Sequence, residues 1–360
     1  MWKLIITYVI IYVQDVIYIM KKDTIEVSRE KIENKINEIL DKEIKKYENN
    51  EFVKNCLEEL KRLSAGGKRV RGYLVKLGAM LFGKNDDCYI DIAAALEIFQ
   101  TAILIHDDII DEAEERRGME TINAKYSGHF GISKAICIGD LGFFLSYRII
   151  NKLDISETLK EEISRVYSKT LYNTVNGEII DVELPLKDIN YHKEMDDKII
   201  YDIYINKTAW YTIIGPVLIG AASASASYSD KEKLKLMGTY LGIAFQIKDD
   251  LLGLYSTSGN MGKTLNDIKE GKQTIIYKYA IDHANSDELK IINKYYGNPN
   301  VSAKENKIIT DLFEKIGAKK NAEKLELEYT NKGIQIINSM DVQNKDLFMK
   351  FANYLLKRDK

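Results

Sequence analysis

Two stretches of this chain set several carboxylates inside sequence that otherwise reads as apolar helix: Leu104-Ile-His-Asp-Asp-Ile-Ile-Asp111 and Phe245-Gln-Ile-Lys-Asp-Asp-Leu-Leu-Gly253. Helices seldom bury charge without giving it a partner. Asp107 and Asp111 are four positions apart, roughly 40° apart on one helical face, while Asp108 is turned about 100° from Asp107. Carboxylates this close repel and take up protons unless a cation neutralises them. Oxygen ligands with no metal-spaced His or Cys set suit Mg²⁺ better than zinc, and Mg²⁺ held sparsely by protein completes its shell with substrate phosphates. Two such faces turned toward each other would hold several ions.

A chain of 360 residues, 45% of them hydrophobic, can bury a large core. Prolines occur only at 185, 216 and 299, apolar residues recur at three- and four-residue spacing, and hairpin signals are lacking. The pattern predicts an all-α bundle with few or no strands. One or two amphipathic helices are expected over Val27–Leu63, ending near Ser64-Ala-Gly-Gly67, and a strongly apolar helix over Tyr89–Asp111, with Glu112–Gly118 as the loop after it. Further helices are expected around Ser133–Asn151, Ser156–Glu183 and Asp196–Gly215, the last broken or kinked at Gly215-Pro216. Ala221–Ser227 reads as a small-residue connector, Tyr240–Leu252 as the helix of the second cluster and Tyr255–Gly271 as loop. Amphipathic helices should close the chain over Glu305–Ile316, Asn321–Ser339 and Lys345–Lys357.

The net charge of −2, with both signs interspersed, gives no footprint for nucleic acid. Cys56, Cys88 and Cys137 are odd in number and widely spaced, so reduced thiols in a cytoplasmic protein are expected. Of the four histidines only His106 touches a motif, and a structural role suits it better than that of a base. Residues 1–20 are apolar but interrupted by Gln14 and Asp15 and lack a cleavage site. Three readings stand: translation starting at Met20, a membrane-associated anchor, or an added buried helix. Membrane association is expected only if this leader is retained, and no linker divides residues 21–360.

Basic residues complete the pattern: Gly66-Gly-Lys-Arg-Val-Arg71, Arg116-Arg117-Gly118, Lys207-Thr208 and Gly262-Lys263. Together with the aspartate clusters, in this order, they describe a site for two phosphorylated substrates. The chain resembles the trans-prenyltransferases, the isoprenyl diphosphate synthases of the farnesyl and geranylgeranyl type, from about Glu43 to Arg358. The resemblance implies a bundle of about ten or more helices around a central cavity, spanning 21–360 as one synthase domain, and a homodimer. It also implies the chemistry: an allylic diphosphate ionises with Mg²⁺ help, isopentenyl diphosphate attacks the carbocation, and a proton is lost.

By the resemblance Asp107, Asp111 and Asp249 are the main ligands of about three Mg²⁺ ions, with Asp108 and Asp250 as outer or partial ligands. Arg116, Lys207 and Lys263 match positions that grip the allylic diphosphate, although each taken singly is as well explained as a surface cation. Lys68, Arg71, Arg117 and Gln100 match the metal-free isopentenyl diphosphate site, where guanidinium forks suit phosphate oxygens. Thr208 and Gln246 line up beside the reacting carbons, and the released diphosphate is the expected proton acceptor. Two departures stand out. Gly253 replaces a third Asp common in the second cluster, and Glu178 stands where a Gln is common.

If the growing tail runs antiparallel to the helix ending at Asp107, side-chain size upstream acts as a ruler. Ala102 and Ile103 precede Phe99, eight residues before Asp107, and one turn of about 5.4 Å is close to a prenyl unit. Small Ala102 followed by bulky Phe99 predicts a twenty-carbon product, geranylgeranyl diphosphate, with farnesyl or twenty-five carbons and more as alternatives. A class I terpene cyclase has no need of Lys68, Arg71 and Arg117, and a silent regulatory subunit would be expected to have lost aspartates or the Gly66-Gly-Lys-Arg segment.

Overall fold

The computed structural model describes residues 26–255 and 267–356, with side chains to residue 353, and it is almost entirely helical. The readings made for residues 1–20 and for Lys263 lie outside the described residues. The described residues form two compact units, one from within the stretch up to Lys76 with Asp86–Lys160, the other from within Leu77–Asn85 with Glu161–Lys360.

In the first unit α1 spans residues 26–46 and α2 Glu51–Ser64, whose N-terminus is capped by the Asn50 side chain accepting from the Val53 N–H at 3.2 Å. α3 spans Val70–Met80, so Arg71 lies in its first turn. α4, Ile90–Ile110, is buried over most of its circumference, and α6, Gly128–Asn151, packs along it. Small residues set that approach. A Cβ added to Gly142 of α6 would stand 2.8 Å from the Cβ of Ala102, and one on Gly139 would stand 2.2 Å from His106 Nε2. Between α4 and α6 the expected loop instead contains a two-residue hairpin, β1 Glu115–Arg116 with β2 Met119–Glu120, and then α5, Ile122–Lys125, capped by Thr121. Arg117 at φ +56° and Gly118 at φ +75° make the tight reversal that pairs Arg116 with Met119.

The second unit carries most of α7, Glu157–Glu183, then α8, Ile189–Glu194, and α9, Lys198–Ile203. α9 runs without interruption into a π-helical stretch, Tyr204–Ile214, and on into α10, Gly215–Ser223. The expected break at Gly215-Pro216 is therefore absent. Pro216 has no N–H to satisfy, and the Gly215 N–H bonds five residues back to Trp210, so the irregularity is absorbed as a wide turn before the proline. α11, Tyr228–Tyr255, is the spine of this unit, packed against both the π-helical stretch and α15, Ala318–Ser339. Its Ile243, Ile247, Leu251 and Leu254 form one helical stripe in a core shared with α12 (Ile275–His283), α13 (Ser286–Tyr295) and α14 (Ala303–Ile316). Each such side chain removed from water contributes roughly 1.5–3 kcal/mol. Capping boxes at Asn285/Glu288 and Ser302/Glu305 start α13 and α14, and Gly317 at φ +94° ends α14; α16 is Lys345–Leu356.

Candidate active site

α4 delivers Asp107 and Asp108 in its last turn, and the Asp111 N–H closes that turn on the Asp107 carbonyl at 2.8 Å. The hairpin then folds Arg116 back over both carboxylates. Its Nη2 donates to Asp107 Oδ2 at 3.0 Å, and its Nε donates to Asp108 Oδ1. Arg116 therefore acts here as the internal counterion of the first cluster. Asp108 is 2% exposed, and burial pushes its pKa up against the pull of Arg116.

A second, cationic group lies in the same unit. Arg69 is buried and structural: it bonds the Ser64 carbonyl and Glu33, with Glu97 at 3.6 Å, and Glu97 in turn accepts from the Gly72 N–H at 3.0 Å. Those bonds hold the turn through which Lys68 is exposed and α3 begins at Val70 with Arg71. Partial burial and the neighbouring Arg69, Arg116 and Arg71 pull the Arg117 pKa below its usual value despite Glu97. Repulsion of that kind is relieved by an anion with several acceptor oxygens. A cleft lined by Thr101, Asp108, Arg116 and Arg117, with Leu63 and Leu104 on its apolar side, opens between the two groups.

Down α4 from Asp107, the half-exposed Leu104, Ile103 and Gln100 make one stripe, with Gln100 seven residues and so about two turns away. Ala102 is turned about 140° from Asp107 and is fully buried against Gly142, so its small size answers first to the approach of α6. Phe99 is buried with its ring 5.5 Å from that of Phe143. His106 has a structural place, its Nε2 at 3.1 Å from the Ile136 carbonyl and its ring edge-on to Phe143.

In the second unit, the polar face of α11 carries Gln246, Asp249 and Asp250. Thr208 Oγ1 donates to Gln246 Oε1, Gln246 Nε2 donates to Asp250 Oδ1 at 2.8 Å, and Tyr204 Oη donates to the other Asp250 oxygen. The Ile275 N–H bonds Tyr204 Oη at 3.0 Å and fixes the ring. Burial pushes the Asp250 carboxyl up to about 8; the bonds from Tyr204 and Gln246 pull it back, while Asp267 and Asp249 raise it further. Asp249 and Asp250 offer oxygen donors alone, a donor set that fits a hard cation such as Mg²⁺. Among the described residues no three His, Cys, Asp or Glu side chains converge to hold a metal by themselves.

The π-helical turn sets Lys207 and Thr208 side by side, and α7 comes so close that a Cβ on Gly177 would lie 2.2 Å from the Lys207 nitrogen. Lys207 Nζ pairs with Glu178 at 2.9 Å and Asp181 at 2.5 Å. Burial alone would raise the Asp181 pKa, but Lys207 and Lys272 bring it below the usual carboxylate range. Asp181, Tyr204, Asp267 and Lys272 were not singled out from sequence. Gly271-Lys272 repeats the Gly-Lys pairing of Gly262-Lys263, which was the available signal.

The family model described as polyprenyl synthetase matches residues 51–315. A short chain isoprenyl diphosphate synthase of Methanocaldococcus jannaschii is 32% identical over 76% of this chain and 80% of its own length. A geranylgeranyl diphosphate synthase of Sulfolobus acidocaldarius is 30% identical over 91% of this chain and 97% of its own. Other curated relatives are named for octaprenyl and heptaprenyl products. Among solved structures, the geranylgeranyl pyrophosphate synthase of Corynebacterium glutamicum, complexed with isoprenyl diphosphate and magnesium, superposes with a TM-score of 0.84 at 25% identity, covering 93% of this chain and 99% of that one.

Proposed function

Because the chain belongs to the polyprenyl synthetase family and is a prenyltransferase that elongates prenyl chains, we propose that it condenses isopentenyl diphosphate with allylic diphosphates to give geranylgeranyl diphosphate. The observation that carries this reading is the pairing, within the first unit, of an acidic group on α4 with a separate cluster of cations around Arg117. Condensation of two diphosphates needs one place for a metal-borne diphosphate and one for a diphosphate held by side chains alone. A terpene cyclase needs only the first.

In this proposal Asp107, Asp111 and Asp249 hold Mg²⁺, about three ions, with Asp108 and Asp250 supporting them. Mg²⁺, when bound, neutralises the charge that develops on the departing diphosphate. Arg116, which pairs with Asp107 and Asp108, would grip the allylic diphosphate, and Lys207, oriented by Glu178 and Asp181, would be a further cation for that diphosphate chemistry. Lys68, Arg71, Arg117 and Gln100 hold isopentenyl diphosphate. Thr208, having donated its hydroxyl proton to Gln246, keeps oxygen lone pairs to offer a passing carbocation. The leaving diphosphate takes the proton.

The tail lies along Leu104 and Ile103 and stops at Phe99, backed by Phe143. Phe99→Ala is expected to lengthen the product by about one five-carbon unit or more, in keeping with a helical turn of about 5.4 Å, read by chromatography of the dephosphorylated alcohols. An unchanged product would remove Phe99 from the ruler. We also propose a homodimer. On α6, Ile132, Ile136, Phe144 and Tyr147 are exposed along one stripe, Phe144 by 70%, and Phe130 lies 64% exposed near the start of the helix. Light scattering should give twice the 41.3 kDa chain mass; the mass of one chain would overturn the dimer.

A further inference from the structure

We propose that Glu33 of α1 is a positioning residue for isopentenyl diphosphate: through Arg69 it holds Lys68, Arg71 and Arg117 in the arrangement that takes the metal-free diphosphate. The proposal rests on the synthase reading, and it adds to that site a residue from ahead of the stretch 51–315 that the family model matches.

Arg69 sits where the turn after α2 becomes α3. Its carbonyl accepts the Tyr73 N–H at 3.0 Å, the bond that opens α3, and its own φ is +53°. A residue with a Cβ enters that left-handed region only at a cost, so the surroundings must hold it there. The guanidinium is buried, and Glu33 does most of the holding. Arg69 Nε donates to Glu33 Oε2 at 2.7 Å, and Nη2 donates to the same oxygen and to the Ser64 carbonyl. Glu97 stands farther off, 3.6 Å from Nη1, and its other oxygen is taken by the Gly72 N–H.

Glu33 is itself fixed in place. Ile32, Ile36 and Leu40 form a fully buried stripe along α1, and a Cβ added to Gly72 of α3 would stand 2.9 Å from Ile32 Cδ1. Close contact between α1 and the start of α3 thus lies beside the Glu33–Arg69 pair. On its other side the guanidinium of Arg69 meets the cations. A Cβ on Gly67 would lie 3.1 Å from Arg69 Nη1 and 3.5 Å from Arg117 Nη1, so the two guanidiniums flank one glycine. After burial, Arg69 and Arg71 are among the causes that pull the Arg117 pKa down, which places these like charges within reach of one another. Lys68 precedes Arg69 and Arg71 follows by two, so a change of φ at 69 turns their side chains relative to each other. Freed from Glu33, residue 69 relaxes toward the right-handed region, and the repelling cations lose the convergence that a diphosphate needs.

The test is steady-state kinetics of the full chain with each substrate varied in turn, beside calorimetric titration with isopentenyl diphosphate alone. Glu33→Gln is expected to raise the KM and Kd for isopentenyl diphosphate about tenfold, while the allylic KM and kcat stay within about twofold. Glu33→Asp, which keeps the charge on a shorter arm, should show a smaller rise with the same selectivity, and it carries the test if Glu33→Gln does not fold. A rise shared equally by both substrates would mean a merely structural role. An unchanged or tighter KM for isopentenyl diphosphate would mean that Glu33 does not position the cations. Either result overturns the proposal and leaves the synthase reading intact, whereas a wild-type chain that neither binds isopentenyl diphosphate nor makes a condensation product overturns both.

Discussion

Asp107→Ala is expected to lower turnover at least about a thousandfold while leaving the fold in place. The size of the loss follows from what the carboxylate is asked to do. Departure of diphosphate from carbon leaves several negative charges that side chains alone stabilise poorly, and a metal ligand lost from a sparse set is not replaced by its neighbours. The small structural cost follows from the surroundings. Asp107 is 20% exposed at the end of α4, and its pair with Arg116 is one of two that the arginine makes. A single partly buried pair of this kind, with the arginine still held by Asp108, contributes on the order of 1 kcal/mol. Steady-state rates with isopentenyl and allylic diphosphates, alongside thermal melts, separate the two effects. Undiminished turnover would remove Asp107 from the metal site.

Gly242→Ala is expected to destabilise the protein by about 3 kcal/mol. The added Cβ would lie 2.2 Å from the Ala209 Cβ and 2.6 Å from its Cα, so α11 and the π-helical stretch must separate. Backbone atoms cannot swing aside as a side-chain tip can. Gly139→Ala meets the His106 ring, whose nitrogen lies 2.2 Å from the new atom but can rotate, and should cost less. Because Ala209 follows Thr208, the separation would also disturb the Thr208–Gln246 bond. Chemical denaturation measures the difference, and equal stability of Gly242→Ala and the wild type would contradict the close approach.

The helices that bury one clear stripe were legible in the sequence, among them α4, α7, α11, α14 and α15, because apolar spacing and capping residues act locally. The helical placement of Asp107, Asp108, Asp249 and Asp250 on α4 and α11 was legible for the same reason, whereas Asp111 falls at the C-cap just past α4. Features that depend on partners distant in sequence were not legible. The π-helical turn at Tyr204–Ile214 arises where α7 presses on Lys207 and Thr170 crowds Gly215, neither of which local sequence reports. Ile275–His283 and Ser286–Tyr295 were passed over as helices, although the Asn285 capping box was there to be read. Arg69 sat within a basic motif and proved to be an anchor for Glu33 and Glu97, which only burial distinguishes from Lys68. Ala102 looked like a measure of pocket depth, yet its size is also demanded by Gly142.

The central claim is condensation of two diphosphates, and it is tested most directly by incubating the full chain with Mg²⁺, isopentenyl diphosphate and, in turn, dimethylallyl, geranyl or farnesyl diphosphate. The alcohols are then separated after dephosphorylation. A twenty-carbon alcohol from each primer is the predicted result. A longer alcohol would keep the condensation and discard Phe99 as the floor, whereas no condensation product from any primer would contradict the account at its centre.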